Sequence, residues 1–166
     1  MTYNFSNVSV LVVEDSQPMT QITCALLKGF GIQKVHVAAT SDQAFEKFRE
    51  EKYDLIVIDW LIKPDNGIDL THKIRTDSLS PNPFVPIIIM TGFSEKKRVV
   101  LARDKGVTEF LVKPFTANDL YRRIDHIIMK PREFVDAPGF FGPDRRRKFL
   151  DEELTPQRRA DDKSKD

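Results

Sequence analysis

The chain is poor in several things, and each shortage excludes something. A single cysteine, Cys24, cannot form an internal disulfide, which suits a reducing compartment. Apolar runs such as residues 8–13 and 86–90 fall far below the ~18–20 residues of a membrane-spanning helix. No basic-then-apolar leader opens the sequence, so no secretion signal is expected. Net charge is almost absent: 26 Lys and Arg against 25 Asp and Glu leave +1. That removes any global argument for binding nucleic acid or an anionic membrane. The expectation is a soluble, cytoplasmic protein.

What is present is apolar and periodic. With 166 residues, 40% of them hydrophobic, the chain can build one domain of common size plus an appendage. Leu55-Ile56-Val57-Ile58 reads as a strand buried on both faces, the habit of a parallel sheet, and it runs straight into Asp59. Similar runs occupy residues 8–13, 35–39, 87–90 and 107–112. Helical patterns lie between and after them. Ser16 and Pro18 open the first helix and Thr40 to Gln43 matches a capping box before the second. A short third helix spans residues 68–75, Ser94 caps a fourth, and Thr116 caps a fifth that carries Leu120, Ile124 and Ile127. Strand and helix alternating five times predict an α/β fold with a parallel sheet and helices on both faces.

From residue 131 the composition changes. Residues 131–166 hold four of the ten prolines and nine apolar residues among thirty-six, with charges in blocks such as Arg145-Arg146-Arg147-Lys148. So little apolar content hardly offsets the entropy of ordering. The boundaries read as a domain over residues 7–130 and a Pro/Arg-rich tail over 131–166, largely disordered or serving to dock a partner.

The strand ends carry the chemistry. The first delivers Glu14 and Asp15, the third Asp59, the fourth Thr91, the fifth Lys113. Asp15 and Asp59 are 44 residues apart, Asp59 and Thr91 32, Thr91 and Lys113 22, spacings that fit whole strand–helix repeats. All these groups therefore belong to one edge of the sheet, where open α/β sheets place their ligands. Clustered carboxylates raise one another's pKa unless a cation joins them, and partly hydrated oxygen donors suit Mg²⁺. An aspartate can attack phosphorus to give an acyl phosphate. A lysine, a hydroxyl and the metal would neutralise the transferring group.

Glu14-Asp15, Asp59, Thr91-Gly92 and Lys113-Pro114, taken together, resemble the receiver domain of two-component response regulators, of the chemotaxis-regulator type, across roughly residues 7–130. The resemblance implies a flavodoxin-like doubly wound five-stranded sheet of order 2-1-3-4-5. It implies phosphorylation of Asp59 by a histidine kinase or phosphotransfer protein, with Mg²⁺ held by Glu14, Asp15, Asp59 and the backbone carbonyl of Leu61. Thr91, Gly92 and Lys113 would bind the phosphoryl group, Thr91 and Phe110 would form the switch, and Lys113-Pro114 would be a cis peptide. The output would be contact with a downstream protein through the fourth helix, fifth strand and fifth helix, a face that could also form a homodimer. Such a bacterial regulator is a phosphoacceptor and not an enzyme, with at most slow self-dephosphorylation.

Departures from the family pattern are local. Proline stands at position 64, one place late, and Gly92 replaces the more frequent alanine. Leu61 and Phe93 would flank the site and limit the attacking water, giving a long-lived acyl phosphate. A phosphorelay shuttle or phosphate sink is an alternative within the same chemistry. A nucleic-acid-binding effector acting through Arg145 to Lys148 is another, although no recognised binding motif accompanies the cluster. A phosphohydrolase would want a second acid where Leu61 stands. Phe140, Phe141, Arg145, Arg146 and Arg147 combine aromatics with Arg, common interface anchors, and are the candidate docking residues. His36, His72 and His126 are expected on the surface without partners, Cys24 as an inert core residue, and Trp60 packed beneath the third helix.

Overall fold

The computed structural model of the protein describes residues 3–92 and 96–144. Five strands, β1 (Ser9–Val13), β2 (Lys34–Ala38), β3 (Leu55–Asp59), β4 (Ile87–Thr91) and β5 (Glu109–Val112), form a parallel sheet of order β2-β1-β3-β4-β5. Val10 lies opposite Leu55, Ile58 opposite Ile89, and Thr91 opposite Val112. The shared register brings the carboxyl ends of β1, β3, β4 and β5 to one edge.

Helices cover both faces: α1 (Gln17–Gly29), α2 (Ser41–Glu50), α3 (Gly67–Thr76), α4 (Lys96–Asp104) and α5 (Ala117–Met129). Alternate strand residues face opposite ways, so the chain builds two cores. Leu11, Val13, Ile56, Ile58 and Phe110 pack with Phe45, Phe48, Ile74 and Ala102 of α2, α3 and α4. Val10, Val12, Val57 and Leu111 pack with Leu27 of α1 and Leu120, Ile124 and Ile127 of α5. The central strands are buried on both faces, as near-continuous apolar runs require.

Cap chemistry explains most helix starts. Thr40 and Asn66 accept from the amides of Gln43 and Asp69, and Thr116 with Asp119 completes a reciprocal capping box. Ser16 occupies the N-cap of α1 without a side-chain hydrogen bond, and Pro18 stands in the first turn of that helix. Ser94, expected to cap α4, lies outside the described residues.

The structure differs from the tail reading over residues 134–143. Two short strands, β6 (Phe134–Ala137) and β7 (Phe140–Pro143), pair antiparallel around Pro138 and Gly139, whose φ of 79° favours glycine. This hairpin packs against the amino-terminal edge of the sheet. The Phe84 ring lies 5.1 Å from Phe134 and 5.5 Å from Phe141. Gly142 meets the backbone of Gly106 so closely that an added Cβ would stand 2.9 Å from the Gly106 Cα. Averaged over residues 131–166, the composition hides this local run of aromatics around a Pro-Gly turn.

Candidate phosphoryl and metal site

Four of the five expected strand-end groups meet through measured contacts, and the fifth, Thr91, ends the strand between them. Lys113 Nζ lies 3.1 Å from Asp59 Oδ1 and 3.4 Å from Glu14 Oε2. One oxygen each of Glu14, Asp15 and Asp59 can be chosen so that all lie within 4.8 Å of one another. Glu14 and Asp59 are buried while Asp15 is exposed, so the cluster opens to solvent on one side. Thr91 is buried at the end of β4, and its carbonyl accepts from the Lys113 amide at 2.8 Å.

Local structure sets each side chain. Glu14 follows β1 directly and its Oε1 accepts from the Ser16 amide at 3.0 Å, turning the carboxylate inward. Lys113 leaves β5 through a cis peptide to Pro114. A second cis peptide, Lys63–Pro64, was not anticipated; the Lys63 amide lies 3.4 Å from Asp15 Oδ2. Gly67 is required by close approach: a Cβ there would collide with the Asp59 carbonyl and stand 2.8 Å from Ile58 Cγ2. Its amide donates to the Trp60 carbonyl at 2.8 Å, closing the loop beneath Asp59.

Electrostatically the cluster is unbalanced, three carboxylates against one ammonium. Burial raises the pKa of Glu14 above the ordinary carboxylate range. The negative charge of Asp59 adds to that, while the Ser16 amide and Lys113 work against it. Hard oxygen donors held together at that cost fit a divalent cation such as Mg²⁺. Glu14, Asp15 and Asp59 would be its side-chain ligands.

Other expected residues fall as follows. Leu61 is 56% exposed beside Asp59. At Gly92 an added Cβ would meet nothing within 4 Å, leaving open space beside Thr91. Phe110 is fully buried, with its ring 6.4 Å from that of Trp60. Trp60 packs toward β5 and α4, with Arg98 5.8 Å over its ring, and not only beneath α3. Phe140 and Phe141 are half-buried in the hairpin. Phe93, Arg145, Arg146, Arg147 and Lys148 lie outside the described residues.

Sequence reasoning missed the buried charges at the opposite edge. Arg75, in the last turn of α3, is 3% exposed. It donates to the carbonyls of Gly106, Pro83 and Val85 and sits 5.0 Å over the Phe134 ring. Burial lowers its pKa to about 9, which leaves it charged at neutral pH. Glu109, 1% exposed, pairs with Arg132 at 3.2 Å. Two of the three histidines also have neighbours: His36 Nδ1 is 2.8 Å from the Tyr53 hydroxyl and His126 Nε2 is 3.8 Å from Glu109, while His72 is exposed as expected. A Pro-Gly dipeptide between Phe134-Val135 and Phe140-Phe141 was the available signal for the hairpin.

Known proteins place this geometry. A profile of the response regulator receiver domain matches residues 10–125. Chemotaxis protein CheY-3 of Vibrio cholerae is 30% identical over 121 residues, covering 73% of this chain and 92% of that protein. The crystallised chemotaxis protein CheY4 of Vibrio cholerae superposes with a TM-score of 0.67 at 26% identity, covering 72% of this chain and 98% of that one. The receiver domain of sensor histidine kinase PA1611 from Pseudomonas aeruginosa, which holds a magnesium ion in its active site cleft, has a TM-score of 0.66 at 26% identity. That alignment covers 74% of this chain and 98% of that one.

Proposed function

The chain belongs to the response regulator receiver domain family, and from that premise we propose that Asp59 is its phosphoacceptor, charged by a histidine kinase or a histidine phosphotransfer protein. The observation that carries this is the approach of Lys113 Nζ to both Asp59 and Glu14, from a strand more than fifty residues further along the chain. An Asp59 carboxylate oxygen attacks phosphorus, the bond from phosphorus to the donor breaks, and the donor leaves with its electron pair. Lys113 neutralises a developing phosphoryl oxygen, and the Thr91 hydroxyl donates to another. Glu14, Asp15, Asp59 and the Leu61 carbonyl would hold Mg²⁺, which would supply positive charge for the third phosphoryl oxygen. Gly92 leaves room for the incoming group.

The phosphoryl group then biases a two-state element. Thr91 and Phe110 form the switch, and a downstream protein reads the altered surface of α4, β5 and α5. That face is also the candidate homodimer contact. Leu61, apolar and exposed next to Asp59, offers no acid to activate water, which favours a regulator over a phosphohydrolase. No helix among the described residues is long and apolar enough to cross a membrane, in keeping with a cytoplasmic role. Borohydride converts an aspartyl phosphate to homoserine. After Mg²⁺, a small phosphodonor and borohydride, peptide mapping is expected to place homoserine at position 59. Homoserine at position 15, or 2-amino-5-hydroxypentanoic acid at position 14, with no homoserine at 59, would reassign the acceptor.

A further inference from the structure

Arg132 reaches the first residue of β5, the strand that delivers Lys113, while the hairpin beyond it packs on Phe84, Arg75 and the turn at Gly106 that leads into the strand. Arg132 is buried along its side chain, and its Nη2 lies 3.2 Å from Oε1 of Glu109. Glu109 is the first residue of β5 and pairs with Ile88 of β4. From α5, His126 Nε2 stands 3.8 Å from the same Glu109 oxygen, and Arg123 Nε donates to the Phe110 carbonyl at 2.7 Å. The residue ahead of β5, Thr108, has its hydroxyl within reach of Arg75. The adjoining turn, at Gly106, is pressed by Gly142 of the hairpin. A cavity of about 70 Å³ between Phe84, Glu109, His126, Arg132 and Phe134 marks where this segment meets the domain.

β5 is an edge strand with β4 as its one strand neighbour. Its four residues span roughly 13 Å, a short rigid lever. One end is held by Arg132, and the other aims Lys113 at Asp59. A buried ion pair is weak evidence of stability, and its better-attested use is to fix one arrangement. Fixing the lever in advance removes ordering that a bound phosphoryl group would otherwise have to impose.

We propose that residues 131–144 are a strap that positions β5, with Arg132 as the positioning residue. Closing the strap tightens the site on a phosphoryl group, and filling the site closes the strap. The second half follows from the first, because coupling between two binding events is reciprocal. The proposal rests on the phosphoacceptor reading of Asp59 and Lys113.

The test uses the full chain, with Mg²⁺ and beryllofluoride as the phosphoryl stand-in. Trp60, the one tryptophan, reports binding by fluorescence, and amide hydrogen exchange reports the strap. In wild type, beryllofluoride is expected to slow exchange across residues 131–144. Arg132→Met is expected to speed that exchange and weaken beryllofluoride binding at least about fivefold, the lower end of ordinary coupling. Arg132→Lys, keeping the charge, recovers part of both. A strap whose exchange ignores beryllofluoride, or one loosened by Arg132→Met with unchanged affinity, overturns the proposal. Glu109→Gln, nearly isosteric, makes the same comparison if Arg132→Met does not fold. A wild-type chain that neither binds beryllofluoride nor becomes phosphorylated refutes the phosphoacceptor reading itself, a result distinct from intact binding with an indifferent strap.

Discussion

The two edges of the sheet both gather charged side chains, and they do so for opposite ends. At the carboxyl edge, Glu14, Asp15 and Asp59 share one ammonium, Lys113, and one side stands open. At the amino edge, Arg75 donates to three carbonyls and lies over Phe134, while Glu109 meets Arg132. Aromatic rings of Phe84, Phe134 and Phe141 close that edge. Charges matched inside the chain fix one arrangement of it. Charges left in excess and open to solvent suit a divalent cation.

That contrast predicts where mutations hurt. Arg75→Met should cost the most stability, about 3 kcal/mol, because it strands buried carbonyls and uncouples the hairpin. Urea unfolding measures it, and a loss below about 1 kcal/mol would mean the amino edge is not held by Arg75. Asp59→Asn should show the opposite pattern, with function lost and stability kept or raised by relief of like-charge repulsion.

A pH series sharpens the comparison. Burial lifts the Glu109 pKa from 4.5 to about 7 against the pull of Arg132 and Arg123. A carboxyl whose folded pKa is raised favours the folded state below its unfolded pKa. That contribution is lost as pH climbs from about 4.5 through 7. The loss amounts to at most about 3 kcal/mol by the 1.36 kcal/mol per unit conversion. Glu109→Gln should flatten this part of the stability profile between pH 5 and pH 8, read as urea midpoints. A mutant profile as steep as wild type would locate the titration elsewhere, Glu14 being the other raised carboxyl.

Smaller effects test the scaffold beneath each edge. Gly67→Ala drives a methyl into the Asp59 carbonyl and Ile58, with an expected loss of about 2 kcal/mol, typical of overpacking, and impaired phosphorylation. Thr116→Ala removes one half of the α5 capping box and should cost about 1 kcal/mol while leaving phosphorylation intact. Equal damage to phosphorylation by both would dissolve the distinction between a residue shaping the site and one shaping a helix start.

The carboxyl edge was legible in the sequence because apolar runs stop abruptly at polar residues, and a parallel sheet brings those stops together. Glu14, Asp59, Thr91 and Lys113 needed no knowledge of packing to be gathered. The amino edge was not legible, for a matching reason. Arg75 looks like any basic residue in a last helical turn, and Glu109 like any polar residue near a strand start. Their partners lie in residues 131–144, where four aromatic and β-branched residues, Phe134, Val135, Phe140 and Phe141, are diluted in a charged, proline-rich stretch. The cis peptide at Lys63–Pro64 was missed too, since the displaced proline was read only as a local departure from the family pattern.

The central claim is that residues distant in sequence gather so that one acid carries phosphate. Intact mass after Mg²⁺ and acetyl phosphate tests it most directly. The account predicts that wild type gains the mass of one phosphoryl group, that Asp59→Asn gains none, and that omitting Mg²⁺ prevents the gain. Equal gain by wild type and Asp59→Asn, or none by either with Mg²⁺ present, would contradict it.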